Sequence, residues 1–398
     1  MGILRYTQYY IRYTCFMFGL SFGRDKARRV AIVDIGSASA AVGVLNIDPK
    51  SKSTLVAANR SFIPYEKRSK EQFAARMGDA VTEAITKAMQ ALAARKDDTR
   101  SPKEVFVFFR APWIDARVVK ISKTFDTETK ITRLHIDALA KEAIDSKEKM
   151  LEAMVLRVEV NGYPTVDAIG KVGHLITLYA LITTVDEELQ ASAQAYVSKA
   201  LPQLKPIWRS HTRALLLCIR EHPKHPRDCV VMDVSSEGTS ILIIRDGILS
   251  TQVTFDVGIH SILDRLAKNA LPEETLGLIH MLEREQCSGD ACVVLKTSME
   301  KVEQEMVREF GEQLAKLSVK ARLPQDMLLF VHPDIAPWLS RFFSRLDFSQ
   351  FTMPLKPFSV SELVPKDMQE WIQIDSAAPD VSLLLATSLV HIEAHDES

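Results

Sequence analysis

This chain has little glycine, few cysteines and almost no net charge. Only 15 of its 398 residues are glycine, so few positions let the backbone approach a ligand without a Cβ atom in the way. The formal net charge is −1, which gives no electrostatic reason to expect nucleic acid as a partner. The five cysteines are odd in number and lack metal-ligand spacing. Although Cys287 and Cys292 are close in sequence, we expect free thiols, as in a reducing cytoplasm.

The N-terminal extension, residues 1–28, lacks an apolar run long enough to span a membrane. Arg5 and Arg12 interrupt the segment, so it contains no unbroken apolar run of about 18 residues. There is also no cleavage site of the signal-peptide type. Two interpretations of this aromatic and basic segment stay open. It makes a weak interfacial membrane contact, because arginine and tyrosine suit a headgroup boundary, or translation begins at Met17. We favour the late start.

The composition of the rest is that of a globular protein with two or three domains, since 46% of residues are apolar and 25% charged. Candidate metal ligands are few. His222 and His225 are separated by two residues, but Pro223 and Pro226 argue against a helical ligand pair. We interpret this segment as a solvated loop.

Two short segments about two hundred residues apart have the same pattern. Residues 33–44 read VDIGSASAAVGV and residues 230–247 read VVMDVSSEGTSILIIRDG. In each, an apolar strand ends in an aspartate, and a turn of small residues leads to a second apolar strand. Such a hairpin places a carboxylate at the loop, with backbone N–H groups free to face an anion. The repetition predicts a chain built from two related halves.

Hydrophobic periodicity divides the chain into alternating strands and helices. Apolar residues at helical spacing predict an amphipathic helix over residues 71–94. A block of strands and helices at 111–200, with strands expected at 153–160, 167–172 and 174–183, predicts a small inserted domain. We therefore expect a first half at 29–110, the insertion at 111–200, and a second half at 201–398.

The order of these parts resembles the actin-like ATPase superfamily, in particular the bacterial branch of the cell-division protein FtsA and the pilus protein PilM. The two hairpins carry the resemblance, together with FDVGIHSILDRLAK at 255–268 and the late segment LLLATSLVHI at 383–392. It implies an α/β fold of two duplicated, ribonuclease H-like halves. It also implies a small strand–helix–strand–strand domain inserted in the first half.

The resemblance further implies a site for ATP and Mg²⁺ between the halves. Asp34 and Asp233 match the acids that hold Mg²⁺ through bound water. The other matching positions, which would bind phosphate, are Gly36 and Ser37 in the first loop and Gly238, Thr239 and Ser240 in the second.

The second loop and two further segments depart from the family pattern. Ser235, Ser236 and Glu237 stand where glycines usually follow the acid, and they permit less close backbone approach to a phosphate. Residues 332–335, which follow the late strand, include no glycine. Residues 207–218 contain no acid to activate water, and Arg209 or His211 occupies that region instead. We therefore expect weak or lost hydrolysis and no catalytic residue.

The sequence favours a cytoplasmic scaffold at the inner face of the membrane, in type IV pilus assembly or cell division. Its implied partner is an inner-membrane protein that offers a cytoplasmic segment, bound on the inserted domain or beside it, and self-association stays open. One alternative is an active, polymerising FtsA-like Mg-ATPase. The other is a small-molecule kinase of the same fold. Such a kinase needs a catalytic acid beside the substrate hydroxyl, and no segment of the sequence indicates one.

Overall fold

The computed structural model describes residues 27–48, 50–63, 70–95, 100–144, 150–267, 271–353, 355–375 and 379–396. The interpretations of residues 1–26, membrane contact and a start at Met17, lie outside this part. No helix within the described ranges combines the length and hydrophobicity that a membrane span needs.

Strands and helices alternate along most of the chain. The strands are β1 (Arg28–Ile35), β2 (Ser39–Ile47), β3 (Ser53–Phe62), β4 (Glu104–Phe109), β5 (Ile114–Lys130), β6 (Glu152–Val160), β7 (Tyr163–Pro164), β8 (Val172–Val185), β9 (Pro206–Ser210), β10 (Cys229–Val234), β11 (Thr239–Arg245), β12 (Ile248–Phe255), β13 (Asp326–Phe330), β14 (Ser359–Glu362) and β15 (Ile372–Ile374). The helices are α1 (Lys70–Ala93), α2 (Arg133–Ala143), α3 (Glu187–Ala200), α4 (His211–Glu221), α5 (Ile259–Ala267), α6 (Pro272–Glu283), α7 (Asp290–Ser318), α8 (Ala336–Phe343) and α9 (Val381–Asp396).

Two sheets share a common five-strand topology, which bears out the predicted duplication, and the first has β15 as an additional edge strand. The first has the order β15–β3–β2–β1–β4–β9 and the second β12–β11–β10–β13–β14. In each half, the second strand pairs antiparallel with the first and with the third. Two later strands then add in parallel beside the first strand. The hairpin loops are also equivalent, because Gly36 N–H donates to Ser39 O and Ser235 N–H to Gly238 O, each at 2.9 Å.

The two sheets enclose a shared core. Helices α1 and α3 cover the outer face of the first sheet, and α5, α7 and α8 cover the outer face of the second. Helices α4 and α9 lie between the sheets, and residues 211–219 of α4 are all buried. The chain crosses between the halves twice in the described part, from α4 to β10 and from β14 back to β15.

The inserted domain is a four-stranded antiparallel sheet in the order β5–β8–β6–β7, covered by α2. The sheet occupies residues 114–185, within the predicted 111–200. Helix α3 packs on α1 of the first half. From the segment predicted as the second half, β9 and β15 join the first sheet because they pair with β4 and β3.

Two local expectations are wrong. Residues 167–171 form no strand, because Gly170 has φ +87° and its N–H donates to Ile131 O, which makes a turn ahead of β8. Cys287 and Cys292 form a disulfide, with Cα atoms 5.8 Å apart. A turn with Gly289 at φ +89° before α7 brings them together. Cys218 and Cys229 are free and buried.

Candidate functional site

Asp34 and Asp233 lie at equivalent positions near the ends of β1 and β10, on the inner faces of the two sheets. Strand side chains alternate between faces. Asp34 therefore shares a face with Ile32, and Asp233 shares one with Val231, both in the core between the sheets. Both aspartates are buried, with exposed fractions of 0% and 2%. Two buried carboxylates need cations or hydrogen-bond donors nearby.

Among the described residues, three donate hydrogen bonds to the Asp34 carboxylate. His211 Nε2 donates to Oδ1 at 2.7 Å, Arg60 Nη2 donates to Oδ2 at 3.1 Å, and the Ser382 hydroxyl also donates to Oδ2. Burial alone raises the pKa of Asp34, but the charge and hydrogen bond of His211 and the charges of Arg60 and Arg110 outweigh it. The pKa therefore lies well below its ordinary value, and the carboxylate stays ionised.

Arg60 reaches Asp34 because of the strand register. Ala41 in β2 is paired with Asp34 on one side and with Arg60 on the other. Residues directly opposite each other across a sheet point to the same face, and the small Ala41 side chain lets the guanidinium pass over it. Arg60 also pairs with Asp380 and donates to the Ser39 hydroxyl.

Asp233 is paired with Arg110, which follows β4 of the opposite half. Arg110 Nη2 lies 3.2 Å from Asp233 Oδ1, and its guanidinium carbon lies 4.3 Å from the centre of the Phe330 ring. Burial raises the pKa of Asp233 above its ordinary value, although the charges of Arg110 and His211 oppose the shift. Arg110 thus connects the first half to the second at the carboxylate predicted to hold a metal.

The Ser37 hydroxyl bridges the two loops directly. Its oxygen accepts hydrogen bonds from Ser236 N–H at 3.0 Å and from Glu237 N–H at 3.2 Å. Successive backbone N–H groups of this kind are an anion-binding arrangement. Here they are satisfied by a side chain of the same molecule.

The other polar groups of the second loop and the start of β11 form hydrogen bonds within their own half. Thr239 donates to Val257 O, and the Ser240 hydroxyl pairs with that of Thr254. Ser235 and Ser236 carbonyls accept from the N–H groups of Ile259 and His260 at the start of α5, each at 2.9 Å. That helix end therefore presents fewer free donors to an anion.

Glycines lie where the loops pack closely. A Cβ atom on Gly238 would lie 2.9 Å from Phe255 O, and one on Gly36 would lie 3.4 Å from Ser39 O. Gly258 is tighter, since its Cβ would lie 2.4 Å from Ser236 O. Glu237 points away from the loop centre and pairs with His260 Nδ1 at 2.9 Å.

A cleft of about 850 Å³ opens beside these loops. Its wall includes Ser37, Arg60, Arg110, Ser236 and the segment after β13 with His332 and Pro333, together with apolar residues of both halves. The volume is that of an ordinary small-molecule site. Arg60 and Arg110 line this cleft, whereas Asp34 and Asp233 are buried behind them and do not line it.

The site fits Mg²⁺-bound nucleotide poorly. Mg²⁺ is held by carboxylates and water, but Asp34 and Asp233 each already face an arginine. The loop amides that would face phosphate oxygens are taken by Ser37. The predicted residues Asp34, Ser37 and Asp233 thus lie together with their groups engaged, whereas the Thr239 and Ser240 hydroxyls bond elsewhere.

The two residues left open at 207–218 have different roles. His211 contacts Asp34, whereas Arg209 belongs to a separate buried pair with Glu393, with nitrogen–oxygen distances of 3.0 to 3.2 Å. Arg60 and Arg110 did not emerge from the sequence as site residues. The position of Arg110 could have been predicted, because it directly follows a buried strand, and β4 pairs in parallel with β1 beside Asp34.

No protein-family model and no curated protein matches the chain. Among solved structures it is similar to a chain of the PilM–PilN type IV pilus biogenesis complex, with TM-score 0.54 and 13% identity over 91% of this chain and 98% of that chain. The chain has the actin-like ATPase fold. The ethanolamine utilization protein EutJ of Carboxydothermus hydrogenoformans also matches, with TM-score 0.45 and 13% identity over 99% of this chain and 100% of that one. At these identities the likeness concerns the fold.

Proposed function

We propose that this actin-like protein is a scaffold that binds a protein segment and does not turn over Mg-ATP. The complex we assign it to is membrane-associated, in type IV pilus assembly or cell division, at the inner face of the membrane. The absence of Mg-ATP turnover is supported by the pairing of both site carboxylates with arginines of the same chain.

Charge explains why these pairings disfavour Mg-ATP. To bind Mg²⁺, Asp34 and Asp233 would have to release Arg60 and Arg110, and the freed guanidinium groups would stay in a buried site next to the cation. Arg60 would keep Asp380 and the Ser39 hydroxyl, and Arg110 would keep the Phe330 ring. Removing one partner from a buried ion pair costs about 3–5 kcal/mol, which nucleotide binding would have to offset.

A groove between the inserted domain and the second half supports the proposed partner site. Its volume is about 540 Å³, and it lies between β5 and β12. The lining residues are Pro112, Trp113, Ile114, Asp115, Thr184, Val185, Asp186, Gln252, Val253 and Thr254. Among the described strands, β5 pairs only with β8 and β12 only with β11. The two edges face each other, and Gln252 Nε2 donates to Ile114 O across them at 3.5 Å, so an extended segment would dock in the groove over this contact.

The solved structure with the same fold at TM-score 0.54 belongs to a complex of two proteins, PilM and PilN. This supports a protein partner and favours pilus assembly over cell division. The inner-membrane partner that we propose would supply the extended segment from its cytoplasmic part.

Thermal unfolding tests the nucleotide part of the proposal. We expect no change in melting temperature with ATP or ADP, with or without Mg²⁺. Ligand at a hundred times its Kd would stabilise the native state by about 2.7 kcal/mol, which is readily measured. A Mg²⁺-dependent rise that Asp233→Asn abolishes would overturn the proposal and revive the ATPase.

Peptide binding tests the partner part. The probes are labelled cytoplasmic segments of the pilus and division membrane proteins from the same genome. Asp115 and Asp126 are both exposed residues of β5, but only Asp115 lines the groove. We expect one segment to bind and Asp115→Arg to weaken it at least about tenfold, which is about 1.4 kcal/mol. Asp126→Arg should leave binding unchanged, and equal effects of the two variants would exclude the groove.

A further inference from the structure

Two histidines and an aspartate meet where the chain crosses between its halves. His222 and His225 lie on the crossing from α4 to β10, and Asp367 lies on the return from β14 to β15. One nitrogen of each ring and one oxygen of the carboxylate lie within 4.8 Å of one another. These side chains come from segments more than a hundred residues apart and belong to neither the cleft nor the groove.

The local structure constrains the three residues. His222 caps the end of α4, where its N–H donates to Cys218 O, and it is only 8% exposed. The interpretation of this segment as a solvated loop is therefore wrong for His222. Pro223 and Pro226 restrict the backbone on either side of His225. Asp367 lies in a short 3₁₀ helix, and its Oδ2 accepts from Val364 N–H at 3.0 Å, which leaves the other oxygen for a ligand.

We propose that His222, His225 and Asp367 form a binding site for a divalent transition metal, and that zinc is the ion that fits best. Two imidazoles and one carboxylate with a place left for water are a common zinc ligand set. Zinc holds its ligands at roughly 2.0–2.2 Å, so small rotations of the side chains bring the three atoms into range. The hydrogen bond from Lys224 N–H to His222 Nδ1 is long, at 3.3 Å, so coordination sacrifices little.

Metal at this place connects the two crossings. The described part of the chain joins the halves only through these two segments, so a shared ion restrains how one half rotates against the other. This role is independent of the cleft carboxylates and of the partner groove, and it stands whether or not the proposed function holds.

The test is a zinc titration of the full chain after treatment with a chelator, followed by thermal unfolding. We expect saturable binding of one ion and a rise in melting temperature. His225 is half-buried, so His225→Ala should fold and weaken zinc at least about tenfold. Asp367→Asn keeps an acceptor for Val364 N–H and should weaken zinc similarly. The matched control is His174→Ala, an exposed histidine of β8, which should bind zinc as the unaltered chain does.

A second readout uses Trp371, whose ring centre lies 6.0 Å from that of His222. Cobalt(II) bound at the site should quench tryptophan emission, and Trp371→Phe should remove the quenched component. Either absence of saturable zinc binding, or equal zinc affinity of His225→Ala and His174→Ala, would overturn the site. Quenching that persists in Trp371→Phe would place the metal elsewhere.

Discussion

Ala41 lies between two charged residues of neighbouring strands, and its small size decides what the site contains. The Arg60 side chain crosses over it to reach Asp34. The carboxylate is ionised and buried, and such a group requires compensating charge. The chain supplies the compensation itself, through the charge of Arg60 and a hydrogen bond from His211.

Removal of Arg60 should therefore destabilise the fold strongly. Arg60→Ala leaves Asp34 and Asp380 without this partner, and we expect a loss of about 3–5 kcal/mol in the free energy of unfolding. Arg133→Ala is the control, because Arg133 pairs with Asp137 on the surface of α2 and exposed pairs contribute about 0–1 kcal/mol. Urea unfolding measures both, and equal losses would contradict the assigned role of Arg60.

Asp34 also predicts a dependence of stability on pH. Its folded pKa is lowered, so its contribution is complete above the unfolded value of about 4 and declines as the pH falls towards the folded value. Between pH 7 and pH 3, the stability difference between the unaltered chain and Asp34→Asn should shrink by about 1 kcal/mol. A difference that stays constant in urea unfolding at the two pH values would show that the folded pKa is ordinary.

Among the elements, the turn before α5 packs most tightly against the second loop. Gly258→Ala would bring a Cβ atom within 2.4 Å of Ser236 O and 2.5 Å of Gly238 N. Backbone atoms cannot move aside cheaply, so we expect a loss of about 1–3 kcal/mol. Gly277→Ala in α6 meets no atom within 4 Å and should be neutral or stabilise by up to about 1 kcal/mol. Chemical denaturation of the pair provides the measurement, and similar results for both would exclude the close contact as the cause.

The elements that the sequence predicted well are those with one apolar face. Helix α1 has such a face and matches the expected residues 71–94 within one residue at each end. Helix α4 went unrecognised because its apolar residues form the unbroken run ALLLCI at 214–219, which a buried strand would show as well. Aspartates at the strand ends emerged from the duplicated pattern, whereas Arg60 depends on a three-strand register that no local pattern encodes.

At the scale of the molecule, a buried ion network joins the inserted domain to the first half and the last helix. Glu152 of β6 accepts from Ser210 N–H at 2.7 Å and pairs with Arg213 at 3.0 Å. Arg213 also pairs with Glu393 of α9 at 2.6 Å, and Arg209 completes the set. These contacts come from segments far apart in sequence, so they follow only from the assembled fold.

Loss of Glu152 should loosen this junction. Glu152→Ala leaves Arg213 with one partner fewer in a buried place, and we expect a loss of about 3–5 kcal/mol. Glu128→Ala on exposed β5 should change stability by less than about 0.5 kcal/mol. Guanidinium unfolding of both variants measures the losses. An unfolding curve of Glu152→Ala that superimposes on that of Glu128→Ala would contradict the network's contribution.

The Ser37 bridge has a consequence for how the protein behaves in a living cell. A hydrogen bond within one chain forms at the same strength whatever the supply of energy-rich metabolites. Under the proposed function, which has no nucleotide step, the contact between the loops would therefore persist in starved and growing cells alike. The number of complexes with the proposed partner would then follow from the synthesis and degradation of the two proteins.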